Sequence, residues 1–172
     1  MLNNHNRAPK YHYPKAALRM GWLAFIITAA VFITSRFVTR DGSRPAVITG
    51  AIILLASLVF IFPPFYLLRK YGQTESGRPY YETTMLVKKG LYKYLRHPQY
   101  LGYMMLNVGF SLLSQHIFIV AMSACAIICF YMQTLEEEKY CLRYLGDSYI
   151  QYMKRVPRFN FLTGILRRLK PL

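Results

Sequence analysis

The feature that most limits what this chain can become is a missing one. From residue 97 to residue 135 there is no Asp, Glu, Lys or Arg; Arg96 stands at one edge of the gap and Glu136, Glu137 and Glu138 stand at the other. A single membrane crossing takes about 20 apolar residues, so the gap is too long for one span and about right for two short ones joined by a tight turn. A hairpin of that kind returns Arg96 and His97 to the side of the bilayer on which the three carboxylates sit. Two further runs, residues 20–35 and 45–68, also carry no charge. The chain therefore reads as an all-α polytopic membrane protein. It has about four transmembrane helices, including the C-terminal hairpin, plus a cytoplasmic loop and an amphipathic C-terminal helix.

Charge sets the expected orientation. The net charge is +15, and 54% of residues are hydrophobic. Arg7, Lys10, Lys15 and Arg19 precede the first run without an acid among them, and basic residues are in excess both between residues 69 and 96 and after residue 139. The positive-inside rule then places both termini, the central loop and the polar cluster in the cytoplasm. The segment from Arg36 to Arg44, on the far side, fits that rule imperfectly because it carries three Arg. This topology and attraction to anionic lipid account for the positive charge. Nucleic acid is not an expected partner, since no basic face stands apart from the membrane segments.

The expected organisation is one membrane-embedded domain, in five parts. Residues 1–19 form a polar leader with no apolar core, unlike a cleavable signal peptide. Residues 20–68 hold two helices, at 20–38 and 46–68, with Pro63-Pro64 kinking or breaking the second. Residues 69–97 form a cytoplasmic loop. Residues 98–135 form the helical hairpin, with Pro98 suited to a first helical position. Residues 136–172 form a segment that caps the site, with amphipathic spacing over 136–153 interrupted by Gly146.

Three constellations are able to carry chemistry. Arg96 and His97 lie at the mouth of the third helix, where free N–H groups and the helix dipole favour an anion. An Arg there adds a fork suited to carboxylate or phosphate; a snorkelling Arg beside an interfacial His is the plain alternative. Glu136–Glu138 offer a cation receptor, or a solvated turn paired with Lys139, Arg143 or Arg155. Successive helical residues diverge by about 100°, so one or two of the three face any one site. Facing Arg96 and His97, they would suit a zwitterion bearing an amino group, a carboxylate and a sulfonium. The third constellation, Tyr149, Tyr152, Lys154, Arg155 and Arg158, binds either an anionic substrate or lipid headgroups. Cys125, Cys129 and Cys141 read as packing residues, and neither they nor His5, His12, His97 and His116 have metal-ligand spacing. Neither a GxGxxG nor a P-loop pattern occurs, so no Rossmann or Walker nucleotide site is supported.

Leu86-Val87-Lys88-Lys89-Gly90-Leu91-Tyr92-Lys93-Tyr94-Leu95-Arg96-His97-Pro98-Gln99-Tyr100-Leu101-Gly102 forms one block; Glu137-Glu138 with Gly146, Tyr149, Tyr152, Arg155, Val156, Pro157, Arg158 and Phe159 forms a second. These blocks resemble the signature segments of the isoprenylcysteine carboxyl methyltransferase-like membrane methyltransferases, which also resemble the phospholipid methyltransferases. The resemblance covers residues 83–160. It implies an S-adenosylmethionine-dependent enzyme whose cofactor site is built by membrane helices and the C-terminal segment, acting on a lipophilic or membrane-associated acceptor that enters from the bilayer. Carried over by position, Gly90, Tyr92, His97, Tyr100, Gly102 and Glu137 line the cofactor. Glu138, Tyr149 and Arg155 form the catalytic end, toward cofactor or acceptor. Leu91 stands where the family often has Pro, which implies a changed loop. Two other readings remain open: an NADPH-dependent reductase of the sterol-reductase type, which resembles the same Arg96-His97-Pro98 block, and a non-enzymatic membrane scaffold. The acceptor and the oligomeric state are not set by the sequence.

Overall fold

The structure, a computed structural model, describes residues 13–38, 42–74, 79 and 81–169. Six helices follow in order: α1 Lys15–Thr34, α2 Arg44–Tyr71, α3 Pro98–Ser114, α4 Ile117–Leu145, α5 Asp147–Arg155 and α6 Phe161–Leu169, with one short 3-10 turn at Gly90–Lys93. Residues 1–12, most of the expected leader, and Arg40 and Asp41 of the first expected turn lie outside the described residues.

Helices α1, α2 and α4 are each long and apolar enough to cross a membrane. Helix α3 has 17 residues, about 25 Å at 1.5 Å per residue, a little short of the roughly 30 Å of hydrocarbon. The all-helical reading with about four spans holds. Helix α4, at 29 residues, is about 43 Å long, so it outruns the hydrocarbon and carries the Glu cluster at its C-terminal end into the polar edge.

The helices sit side by side in the order α2, α3, α4, α1, because the extensive contacts are α2 with α3, α3 with α4 and α4 with α1. Lipid tails are as apolar as Leu, so close packing replaces the hydrophobic effect as the cohesive force. Small residues at helical spacing permit it. Gly50, Ser57 and Pro64 form the buried stripe of α2. Opposite them, a Cβ at Gly109 would lie 3.2 Å from the Gly50 carbonyl oxygen, and one at Gly102 would lie 3.0 Å from that of Ser57. Ala17, Gly21, Ala24 and Val31 form the equivalent stripe of α1, against α4.

Turn chemistry closes the hairpin. Gln115 adopts a left-handed conformation at the end of α3, and its side chain bonds both the N–H and the carbonyl of Ser43, at 2.9 Å and 3.1 Å. His116 Nδ1 accepts from the N–H of Phe118 and caps α4.

Several boundaries differ from expectation. Helix α1 begins at Lys15 and ends at Thr34, not over 20–38: a basic first turn costs little where its charges reach water. Helix α2 passes through Pro63 and Pro64 without interruption. Two donors are missing from its ladder, but Pro64 is fully buried against neighbouring structure that holds the backbone in place. The 69–97 segment is not structureless: Thr84 and Met85 donate to the Gly72 carbonyl, and the turn at Gly90–Lys93 leads into α3. Helix α6 was not foreseen.

Candidate functional site

The two signature blocks meet through their backbones. The N–H groups of Arg96 and His97 donate to the carbonyls of Pro157 and Arg158, at 3.0 Å and 3.3 Å. The Tyr152 hydroxyl donates to the Tyr92 carbonyl at 2.6 Å. Tyr149 and Tyr152 can reach inward because Gly146, at φ +53°, ends α4 and restarts the chain as α5 in a conformation that L side chains avoid. Their ring faces then pack with Val156 against Leu86, Leu142 and Leu145.

Divergence along α4 separates the three carboxylates. Glu136 turns to the surface and pairs with Lys139 at 2.6 Å. Glu138 turns inward and is 4% exposed, where a charge survives only if paired and hydrogen-bonded. Arg158 grips it with both Nε and Nη2, Arg96 Nη2 lies 3.4 Å away, and His97 Nε2 lies 3.1 Å away. A carboxylate only accepts, so Nε2 is the ring's donor and Nδ1 faces the other way. It faces Glu137, whose Oε1 is 3.8 Å distant. Glu137 Oε2 accepts from the hydroxyls of Tyr13, at 2.9 Å, and Tyr100, at 2.5 Å. The Arg158 guanidinium is held charged, its pKa raised first by the hydrogen bond to Glu138. Burial pushes the phenols of Tyr13, Tyr149 and Tyr152 up, so they serve as donors rather than bases.

A cavity of about 430 Å³ opens beside this network. At one end it meets Arg96, His97, Tyr100, Glu137 and Tyr149; at the other it meets Gly21, Trp22, Phe25, Tyr103 and Gln133. Arg96 is the informative wall residue. Its side chain is 9% exposed, and its Nε and Nη1 are buried with no hydrogen-bond partner. Unpaired buried donors of a charged group are costly, and a ligand anion is the simplest partner for them.

Tyr92, His97, Tyr100, Glu137 and Tyr149 all line the cavity. Gly90 and Gly102 do not. Gly90 has φ +56°, and a Cβ there would strike Leu67, whereas Gly102 lies under Ile61 and Ser57 of α2. Glu138 sits behind Arg96 and His97 and organises them. Arg155 is exposed at the end of α5 and is not brought to the cavity. Arg158 takes the place beside Glu138. It lies beyond the end of α5, so helical periodicity gives no direction for it. Tyr13 and Gln133 were missed. Gln133 left a trace, a polar residue one turn before Glu137 in an apolar run, whereas Tyr13 left none. Among the described residues no group of His, Cys, Asp and Glu is arranged to hold a metal ion.

Residues 45–151 match the family model described as phospholipid methyltransferase. Among curated proteins, the chain is similar to protein-S-isoprenylcysteine O-methyltransferases. That of Schizosaccharomyces pombe is 35% identical over 74 residues, covering 42% of this chain and 31% of the relative. Those of Xenopus laevis and Homo sapiens are each 30% identical, covering 46% and 49% of this chain and 28% and 30% of the relatives. The chain thus spans under a third of the length of these relatives. No solved structure matches it.

Proposed function

The chain belongs to the phospholipid methyltransferase family, and from that premise we propose that it transfers a methyl group from S-adenosylmethionine to a lipophilic acceptor carboxylate of the isoprenylcysteine type. The observation that carries this reading is the cavity lining, which brings the Glu137 carboxylate together with Arg96, two of whose buried guanidinium nitrogens have no hydrogen-bond partner.

The residues present fit the cofactor. Arg96, whose buried Nε and Nη1 lack partners, is the residue suited to its carboxylate. Glu137 is able to hold its ammonium group, since an ionised carboxylate has about four acceptor sites and only Oε2 is engaged by phenols here. Tyr92, Tyr100 and Tyr103 supply flat apolar wall, and the volume suits a ligand of this size. When bound, S-adenosylmethionine supplies a sulfonium methyl that a carboxylate oxygen takes by in-line displacement.

The protein's own contribution is position and desolvation. Glu138 holds Arg96 and His97 in one geometry, and Arg158 ties Glu138 to the C-terminal segment, so the wall is rigid before any ligand arrives. A carboxylate acceptor is already an anion at neutral pH and needs no base. That agrees with a site whose phenols stay protonated. The family description favours a second reading, an amine acceptor of the phosphatidylethanolamine kind. It requires a proton acceptor, and Glu137 is the available one. We place the cavity and both termini on the cytoplasmic side, on the strength of the basic flanks.

The test uses methyl-labelled S-adenosylmethionine, the purified protein in lipid, and either N-acetyl-S-farnesylcysteine or phosphatidylethanolamine. The label is expected on the farnesylcysteine and to be released as methanol by base, the signature of a methyl ester. Base-stable label on phosphatidylethanolamine would establish the amine reading. Label on neither, from folded protein, would contradict both.

A further inference from the structure

Gln133 has no assigned role, yet its environment is unusual. It stands on α4 four residues before Glu137, on the same face, one turn further into the apolar part of the helix. Its residue exposure is 8%. It lines the cavity at the end formed by Gly21, Trp22, Phe25 and Tyr103. Its Oε1 is buried with no hydrogen-bond partner. An unpaired buried amide oxygen is costly, and at membrane depth no bulk water relieves it.

The chain makes room for this side chain. A Cβ at Gly21 would lie 2.5 Å from Gln133 Nε2 and 2.9 Å from its Oε1. The carboxamide therefore rests directly on the α1 backbone, in a slot that exists only because residue 21 has no side chain. Around it the wall is aromatic: Phe25 meets Tyr103 edge-on at 4.9 Å, and Tyr103 stacks on Phe130 at 5.3 Å. The carbonyl oxygen lies buried beside α1 without a partner, on a side chain that lines an otherwise aromatic wall, so a turn of the carboxamide toward the cavity offers one acceptor to a ligand that carries an N–H donor next to an apolar group. The charged end of the cavity, at Arg96 and Glu137, is one helical turn away, about 6 Å along the axis.

We propose that Gln133 is a specificity-determining residue for the methyl acceptor, its carboxamide oxygen accepting an N–H from the polar head that carries the acceptor's apolar tail. This rests on the methyltransferase reading above. The same chemistry has two sources, the amide N–H of an N-acylated prenylcysteine and the ammonium of phosphatidylethanolamine, and the experiment separates them.

The experiment measures acceptor affinity and turnover for the wild type, Gln133→Met and Gly21→Ala, with S-adenosylhomocysteine binding measured on each protein. The acceptors are N-acetyl-S-farnesylcysteine, S-farnesyl-3-mercaptopropionate, which keeps the tail and carboxylate but lacks the N–H, and phosphatidylethanolamine. The wild type is expected to prefer one N–H acceptor over the mercaptopropionate by roughly tenfold in KM, the worth of one hydrogen bond. Whichever N–H acceptor it is identifies the source. In Gln133→Met the preference disappears through KM while kcat and S-adenosylhomocysteine affinity hold. Gly21→Ala, which displaces the carboxamide without removing it, moves KM the same way. A preference that survives in Gln133→Met overturns the proposal, as does a wild type that prefers neither N–H acceptor over the mercaptopropionate. So does a parallel fall in S-adenosylhomocysteine affinity, or failure of both N–H acceptors to bind while that ligand binds. Failure of the wild type to bind S-adenosylhomocysteine is a separate result and contradicts the methyltransferase reading instead.

Discussion

At the scale of single residues, neighbouring carboxylates do different work because helix geometry points them apart. Glu137 faces the cavity, so Glu137→Gln is expected to weaken S-adenosylhomocysteine binding about tenfold or more, the loss of one charge-assisted contact, without lowering thermal stability. Glu138 faces two guanidiniums and a histidine ring. Glu138→Gln leaves buried positive charge uncompensated, at a cost of about 3–5 kcal/mol, and is expected to lower the melting temperature and ligand affinity together. Calorimetric titration and thermal denaturation of the two variants read this contrast directly; equal stability in both would contradict the division of labour. Arg158→Ala should behave like Glu138→Gln, whereas Arg155→Ala, at an exposed position, should stay within about 0.5 kcal/mol of the wild type. The sequence motif displayed both arginines. It could not rank them, because Arg158 lies in extended chain where no period assigns a face. Arg96, His97 and Glu137 were legible for the opposite reason: a charge at the mouth of an apolar helix has few places to go.

At the scale of elements, the fold depends on how closely α2 and α3 approach. The Gly50–Gly109 and Ser57–Gly102 contacts leave no room for a side chain. Gly109→Val is therefore expected to destabilise the bundle by about 1–3 kcal/mol, as overpacking does, and unfolding in denaturing detergent measures it. Resistance equal to the wild type would mean that these helices are held by something else. The four long helices were readable from uncharged runs and from Pro98. The unbroken course of α2 through Pro63 and Pro64 was not, because local propensity predicts a kink or a break there and only the packing around Pro64 shows why the helix continues. Helix α6 was missed because its nine residues are too few to show a persuasive period amid the basic tail.

At the scale of the whole molecule, the long α4 is the organising fact. It carries its apolar part through the bilayer beside α1 and α3, then extends past the hydrocarbon to present the Glu cluster to the docked signature blocks. The account predicts a topology. In a chain whose native cysteines are replaced, Lys139→Cys and Gln115→Cys should react with an impermeant maleimide from opposite sides of sealed vesicles, Lys139→Cys from the cytoplasmic side. Reaction of both from one side would contradict the hairpin. The measurement that bears most directly on the central claim is calorimetric titration of the purified protein in detergent with S-adenosylhomocysteine, with NADPH as the control and Arg96→Gln as the paired variant. The account predicts micromolar binding of S-adenosylhomocysteine by the wild type, at least tenfold weaker binding by Arg96→Gln, and no response to NADPH. Binding of NADPH alone, or of neither ligand by folded protein, would contradict it.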